Sequence, residues 1–321
     1  MTHRAWSALI AASALVLRGP SSGAQQPVFR STTEVVSVPV SVTRDGRPFS
    51  GLNASDFTVL DNGVRQDITE FSSEANAIDM TVVLDFGLRS ERSEFVRSTE
   101  AAMHLQSGLT ASDRLRLVRY GATVDEIVPM RAATEPLPPE AFAPSRVVTG
   151  PERLAFDDAL FYALAWPADT GRRHVIVLFA EGLDSWSTLE PDLIPRLASR
   201  SDAVIQAVIL QSVPPQPASA GTGTKDQWIS SDGSDHLSPN QVLAWRQGYA
   251  AMDAAVQVTG GSLHHINEGP AMLDAVVLDF RKSYVLRYVP HGVAGGGPHE
   301  ITVKITRPGS FTVRARKGYD N

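Results

Sequence analysis

The chain has 321 residues, of which 43% are hydrophobic and 20% are charged, so it can bury a core of one or two domains. This composition excludes a disordered or fibrous protein. The formal net charge of −6 argues against nucleic-acid binding, and the absence of cysteine excludes disulfides, thiolate metal sites and cysteine nucleophiles.

The first 24 residues predict an export signal. Arg4 supplies the positive charge, residues 7–17 are apolar, and residues 22–24 form a small-residue cleavage site. The apolar stretch is too short to span a bilayer, and no later segment reaches 18 uncharged apolar residues. We therefore expect an exported protein, periplasmic or secreted, without a membrane span in the mature chain. The alternative is a buried helix of the mature fold.

Residues 25–76 predict an N-terminal β segment. Valines alternate over residues 36–42 before Asp45-Gly46, and an apolar run at 57–60 is followed by Asn62-Gly63 and a second run at 66–71. Asn-Gly between two apolar runs is a strong signal for a β-hairpin.

Residues 77–282 predict an α/β domain. Continuous apolar runs alternate with segments that have helical spacing, a pattern typical of a mainly parallel sheet with helices on both faces. The predicted strands lie at 80–84, 115–120, 174–179, 203–210 and 262–266, and the predicted helices at 91–109, 154–165, 191–199, 239–258 and 271–281.

Residues 283–321 predict a C-terminal β segment with strands at 284–289, 300–305 and 311–315. Arg314, Arg316 and Lys317 occupy alternating positions there, which indicates a solvated strand face. Separate β pieces of this size would each lack a core. We therefore expect the first and last β segments to form one small β-sandwich, into which the α/β domain is inserted.

One connection is unusually long. Residues 211–237 are rich in Pro, Gly, Ser, Thr and Asp, and they follow a strand of the parallel sheet. The segment therefore leaves the sheet at its carboxyl edge, where such sheets bind ligands. A lid or partner-contacting loop carrying Trp228 is one interpretation, and a disordered insertion is the other.

Several motifs carry a resemblance to a known family. Residues 81–85 (TVVLD) and 175–182 (VIVLFAEG) resemble the first and fourth strands of a von Willebrand factor A domain. Residues 38–52, 56–63 and 313–319 flank this domain, and they make nearly the whole mature chain similar to the von Willebrand factor A-related exported proteins typical of acidobacteria. The resemblance implies a Rossmann-like α/β fold and a role in protein binding.

The same resemblance implies a divalent-ion adhesion site at the carboxyl edge, but its motif is degenerate. Where the family has Asp-x-Ser-x-Ser, this chain has Asp85 followed by Gly87 and Arg89 at the two serine positions. Leu154 stands where the family has a threonine, and Glu181 where it has an aspartate. Neither glycine, arginine nor leucine offers the oxygen ligands that Mg²⁺ requires.

We therefore hypothesise a metal-free site in which Arg89 bridges acidic groups in place of the ion. The expected binding face comprises Asp85, Gly87, Arg89, Ser90, Leu154, Glu181, Asp184 and Trp228. The alternative is a Mg²⁺ or Ca²⁺ site that uses Asp85, Glu181 and either Asp184 or Ser90.

The other groups of polar residues do not indicate a metal site or a catalytic site. His264 and His265 are adjacent on a predicted strand and would point to opposite faces, which disfavours a zinc site with Glu268. Asp157 and Asp158 lie early in a predicted helix, where negative charge is favourable. No Gly-x-Ser-x-Gly motif occurs. The sequence thus predicts a non-catalytic exported module that binds another protein. A metal-dependent adhesion domain and an envelope-associated enzyme are the alternatives.

Overall fold

A computed structural model describes residues 35–73, 77–86, 92–142, 153–167, 171–180, 184–210, 216–217, 228–229, 236–237, 239–265 and 270–320. Its strands are Val36–Arg44 (β1), Arg47–Pro48 (β2), Phe57–Asp61 (β3), Val64–Gln66 (β4), Ile68–Ser72 (β5), Ile78–Asp85 (β6), Arg114–Tyr120 (β7), Val124–Ala132 (β8), Arg173–Ala180 (β9), Val204–Ile209 (β10), Gln216–Pro217 (β11), Trp228–Ile229 (β12), His236–Leu237 (β13), Ser262–His265 (β14), Tyr284–Tyr288 (β15), Pro298–Ile305 (β16), Thr312–Ala315 (β17) and Gly318–Asp320 (β18). Its α-helices are Arg92–Ser107 (α1), Phe156–Leu164 (α2), Leu193–Arg200 (α3), Pro239–Thr259 (α4) and Pro270–Lys282 (α5).

The central sheet has six strands in the order β14-β10-β9-β6-β7-β8. All neighbours are parallel except β7 and β8. Strands β6, β9 and β10 are buried along their whole length, which explains their continuous apolar sequences. One face of the sheet packs against α2, α3 and α4, and the other against α1 and α5.

This order places a reversal of strand order within the sheet. The chain runs from β6 outward to β7 and β8, and then returns to the other side of β6 as β9. The strand order therefore reverses between β6 and β9, and open α/β sheets usually bind ligands at the carboxyl ends of such strands. Asp85 is the last residue of β6 and lies at this reversal.

The flanking β segments form two antiparallel sheets, β17-β1-β15-β5 with β2 paired to β1, and β18-β16-β3-β4. Val36 pairs with Tyr288 and Val40 with Tyr284, so the first and last parts of the chain share one sheet. The two sheets enclose a common apolar core. The predicted fold class, an α/β region with a small β-sandwich built from both chain ends, is confirmed.

A buried polar cluster ties the C-terminus into this sandwich. The Asp61 carboxylate accepts hydrogen bonds from the hydroxyls of Tyr288 and Tyr319, both at 2.8 Å, and lies 2.7 Å from His299 Nδ1. The rings of His299 and Tyr319 stack at 4.4 Å between centroids. Burial and the charge of Asp61 raise the pKa of Tyr288. Two motifs quoted above, 56–63 and 313–319, thus meet in space because they build this cluster.

Three details differ from the sequence prediction. Residues 66–71 belong to two strands, because β4 pairs with β3 while β5 crosses to the other sheet and pairs with β15. Strand β8 was missed, since Asp125, Glu126 and Pro129 weaken its pattern and only its pairing with β7 reveals it. The solvated face predicted near the C-terminus was wrong, because Arg316 is buried and donates to the Gly318 carbonyl oxygen.

Some predictions lie outside the described residues. These include the export signal and most of the 211–237 loop, of which only the three short antiparallel strands β11, β12 and β13 are described. The domain boundaries stay predictions. Among the described residues, no helix is long and apolar enough to cross a membrane.

Candidate functional site

Asp85 is held at the carboxyl edge by a neighbouring strand. It stands opposite Tyr120 in the register of β6 and β7, and the Tyr120 hydroxyl donates to Asp85 Oδ2 at 2.9 Å. Both residues are buried, with 4% of Asp85 and 1% of Tyr120 exposed. The pair fixes one carboxylate at the reversal of strand order.

Helix α2 begins beside the end of β7, where the Ala155 N–H donates to the Gly121 carbonyl oxygen at 2.8 Å. It has no cap of its own, because its N-cap residue Ala155 has no side-chain oxygen. A loop far along the chain, residues 184–192, supplies the missing acceptors, and we call this segment the rim loop. Asp184 Oδ2 accepts the amide N–H of Asp157 at 2.9 Å, and Ser187 Oγ accepts that of Asp158 at 3.0 Å. The rim loop therefore caps α2 from outside the helix.

Helix α2 and the residues just before it also accept hydrogen bonds from the rim loop. The Asp158 carboxylate accepts the amide N–H groups of Thr188 and Leu189 at 3.0–3.1 Å. The carbonyl oxygen of Leu154 accepts those of Ser185 and Trp186, both at 3.0 Å. This reciprocal set fixes the rim loop to the start of α2.

Asp184 organises the rim loop itself. Besides the α2 amide, its carboxylate accepts the backbone N–H groups of Trp186 at 3.2 Å and Ser187 at 3.1 Å, and the Ser187 hydroxyl. A carboxylate with this many donors acts as a cap and turn former. The structure therefore gives Asp184 a structural task at the predicted edge.

Asp157 is the exception among these acids. Only 1% of it is exposed, and its Oδ1 atom has no hydrogen-bond partner in the described part of the chain. Burial, together with the charges of Asp184, Asp158 and Glu190, raises the pKa of this carboxyl to about 7. A buried acid of this kind is unfavourable when ionised unless positive charge approaches it.

The rim loop also presents a large aromatic side chain to solvent. Trp186 is 51% exposed, although its backbone N–H is fixed by both Asp184 and Leu154. The guanidinium carbon of Arg153 lies 4.0 Å from the centroid of its ring, within the range of a cation–π interaction. One face of the indole thus already holds a cation.

The described residues at this edge offer few ligands for a divalent ion. Leu154, which stands at the threonine position of the family motif, is 1% exposed and offers only hydrocarbon. Among the described residues, no group of three or more His, Cys, Asp or Glu side chains is arranged to hold a metal. Mg²⁺ needs about six oxygen ligands in near-octahedral geometry. The residues that the structure describes at this edge do not by themselves meet that requirement, and Ser90 and Glu181 of the alternative metal site lie outside them.

The predicted site residues divide into two groups. Asp85, Leu154 and Asp184 lie at the carboxyl edge or beside the start of α2, as described above. Gly87, Arg89, Ser90 and Glu181 lie outside the described residues, and only the backbone of Trp228 is described, in β12. Whether they complete this face stays a prediction.

Sequence reasoning did not assign Ser187 or Trp186 to the site, and it gave Asp158 only a favourable place early in a helix. The Asp-Ser-x-Ser pattern of 184–187 is the one sequence signal for a capping turn here. His264 Nε2 lies 2.8 Å from Ser262 Oγ on the same edge strand. That contact shows a hydrogen-bonded histidine.

The opposite, amino edge of the sheet is built differently. The buried carboxylate of Asp79 receives Arg114 Nε at 2.8 Å and Arg172 Nε at 2.5 Å, and Asp113 pairs with Arg281. Burial alone would raise the pKa of Asp79, but the two arginines outweigh it and the pKa is lowered. A cavity of about 310 Å³ opens near this edge, between β9, β10 and the sandwich strands β1 and β15.

Comparison with known proteins gives structural neighbours only. No family model and no curated protein matches the chain. Similar solved structures include BatB from Bacteroides thetaiotaomicron, with 11% identity, 63% of this chain and 97% of that chain covered, and a TM-score of 0.45. The ArnB paralog VWA2 from Sulfolobus acidocaldarius has 10% identity, 88% and 75% coverage, and a TM-score of 0.43.

A von Willebrand factor type A protein from Catenulispora acidiphila has 10% identity, 91% and 74% coverage, and a TM-score of 0.41. These neighbours are von Willebrand factor A proteins. The likeness is one of fold, in agreement with the resemblance read from the sequence. With identities near 10% and TM-scores below 0.5, it carries no argument about function.

Proposed function

We propose that this chain is an exported, non-catalytic protein-interaction module that binds its partner at the carboxyl edge of the α/β sheet, without a metal ion. The observation that carries the proposal is the exposure of Trp186 on a loop whose backbone is fixed by hydrogen bonds. A rigid, half-exposed tryptophan is typical of the anchors that dominate protein interfaces.

The position of this loop supports the proposal. It follows β9, one of the two strands between which the strand order reverses, and such reversals are the usual binding crevices of open α/β sheets. The reciprocal hydrogen bonds with α2 reduce the conformational entropy that the loop would lose on binding.

The metal-free character rests on the chemistry of the donor set. Leu154 in place of a hydroxyl ligand removes one contact that an adhesion site would require. In this proposal the guanidinium of Arg89 takes the electrostatic place of the ion. Calorimetric titration with Mg²⁺ and Ca²⁺ should give no binding heat, and micromolar binding that is lost in Asp85→Ala would overturn this part.

Site-specific photocrosslinking tests the interaction face. We expect a photoreactive phenylalanine analogue at position 186 to crosslink one discrete partner in an envelope extract of the source organism. The same analogue at Val64, an exposed residue of the sandwich, is the matched control and should give no such product. Excess chelator should leave the product unchanged.

Equal crosslinking at both positions, or none at 186, would contradict the proposed face. Loss of the product with chelator would instead support a metal-dependent adhesion domain. Export is tested separately by N-terminal sequencing of the mature protein, which should begin immediately after Ala24.

A further inference from the structure

We infer that the rim loop and the start of α2 form a docking surface for a basic protein segment, whose lysine or arginine side chain seats on Trp186. This inference rests on the proposed function, because it names the chemistry of the partner at the same edge. Its first basis is charge. Residues 153–158 and 184–192 together carry five carboxyl groups, at Asp157, Asp158, Asp184, Glu190 and Asp192, and one guanidinium, at Arg153.

The hydrogen bonds to the carboxylates of this surface come from neutral groups, so they do not neutralise the negative charge. Asp158 and Asp184 accept hydrogen bonds from backbone amides and a hydroxyl, all of which are neutral donors. Within the described part of the chain, no lysine, arginine or histidine forms an ion pair with any of the five acids. At the amino edge, by contrast, arginines neutralise Asp79 and Asp113.

The second basis is Trp186. Arg153 lies over its ring at 4.0 Å, so this indole is already oriented as a platform for a guanidinium. With about half of Trp186 exposed, ring surface remains for a partner's cation. Glu190 and Asp192 are exposed on the same loop, and they add long-range attraction that increases the rate of encounter with a basic partner.

The third basis is a buried carboxylate oxygen of Asp157 beneath this surface. Asp157 Oδ1 is buried without a hydrogen-bond partner in the described structure, and the charges that act on this carboxyl come from Asp184, Asp158 and Glu190. Positive charge brought to the rim would favour its ionised form. A neutral or acidic partner would leave it uncompensated.

The test uses the full chain and two defined probes. One is a short fluorescent peptide of alternating glycine and arginine, and the other is its glycine–glutamate counterpart. We expect the basic peptide to bind and the acidic one not to bind. In ¹⁵N spectra the indole N–H signal of Trp186, assigned by its loss in Trp186→Phe, should shift on addition of the basic peptide.

Charge-matched variants locate the binding. Glu190→Gln combined with Asp192→Asn should weaken binding of the basic peptide by roughly threefold to tenfold at low salt, and added salt should reduce the difference. Asp45→Asn combined with Asp67→Asn removes the same charge from exposed positions of the sandwich, and should leave binding unchanged. Trp186→Leu should weaken binding more than Trp186→Phe, since only the aromatic ring attracts a cation.

Equal weakening by both double variants would show that only net charge matters, and it would overturn the site. Binding of the acidic peptide as strong as that of the basic one would overturn the cationic partner. If crosslinking at position 186 persists while charge removal at the rim has no effect, the interaction face stands and the basic partner is excluded.

Discussion

At the amino edge of the parallel sheet, the buried carboxylates of Asp79 and Asp113 pair with arginines, whereas at the carboxyl edge Asp158 and Asp184 face neutral amides. The first arrangement neutralises charge and joins elements of the fold. The second holds a loop in place but leaves its negative charge available. Carboxylates at both edges stabilise the protein, but only those at the amino edge are neutralised by arginines within the described fold.

The largest effect is expected at the amino edge. Asp79→Asn should lower the free energy of unfolding by about 3–5 kcal/mol, because Arg114 and Arg172 would keep their charges without a buried partner. Urea unfolding measures this loss. Asp125→Asn, which removes a half-exposed partner of Arg119, is the control and should cost less than about 1 kcal/mol. Equal losses would contradict the contrast between buried and exposed pairs.

A pH effect is expected at His174, near the same edge. Burial and the nearby charge of Arg116 lower the pKa of His174 to about 4, although Asp79 acts in the opposite direction, and the ring lies 3.1 Å from Thr81 Oγ1. Below pH 6.5 His174 becomes protonated in the unfolded chain but stays neutral in the folded protein. The contribution of this group to stability is therefore fully present above pH 6.5 and is lost as the pH falls toward 4.

The loss from this group should reach about 3 kcal/mol. Unfolding curves at several pH values should show it, and His174→Gln should flatten the dependence between pH 6.5 and 4. An unchanged slope in that variant would assign the pH dependence to other groups.

A smaller effect is expected at the rim loop. Asp184→Ala should lower stability by about 1–3 kcal/mol, because it removes the cap of α2 and the acceptor for two loop amides. Hydrogen exchange at the amides of Trp186 and Ser187 should accelerate. Ser187→Ala, which removes one hydroxyl acceptor, should cost less. Unchanged exchange in Asp184→Ala would show that other contacts fix the loop.

The smallest expected effect is an increase in stability. Asp157→Asn should raise stability at pH 8 by about 1 kcal/mol, because it removes a buried charge that faces other carboxylates. The gain should narrow at pH 5, where the folded protein holds this carboxyl in its neutral form. Thermal unfolding at the two pH values measures the difference. A loss of stability at pH 8 would show that the charge is compensated.

Local chemistry made much of the fold predictable. The β1–β2 and β3–β4 turns follow from Asp45-Gly46 and Asn62-Gly63, whose backbones all have positive φ as such hairpins require. The continuous apolar sequences of β6 and β9 predicted strands that are buried on both faces of the sheet. The place of Asp85 at the carboxyl edge was expected from the resemblance to a von Willebrand factor A domain, and Asp85 is the last residue of β6.

The sequence by itself determined the alternation of elements and the parallel sheet, because these depend on periodicity and on residues close together in the chain, and its resemblance to a known family pointed to Asp85. The tertiary structure alone decided that Asp184 caps α2, that β5 leaves the sheet of β4, and that Asp157 is buried without a hydrogen-bond partner at Oδ1. Each depends on groups far apart in the chain, and no local preference specifies which distant hydrogen-bond donor will meet which acceptor.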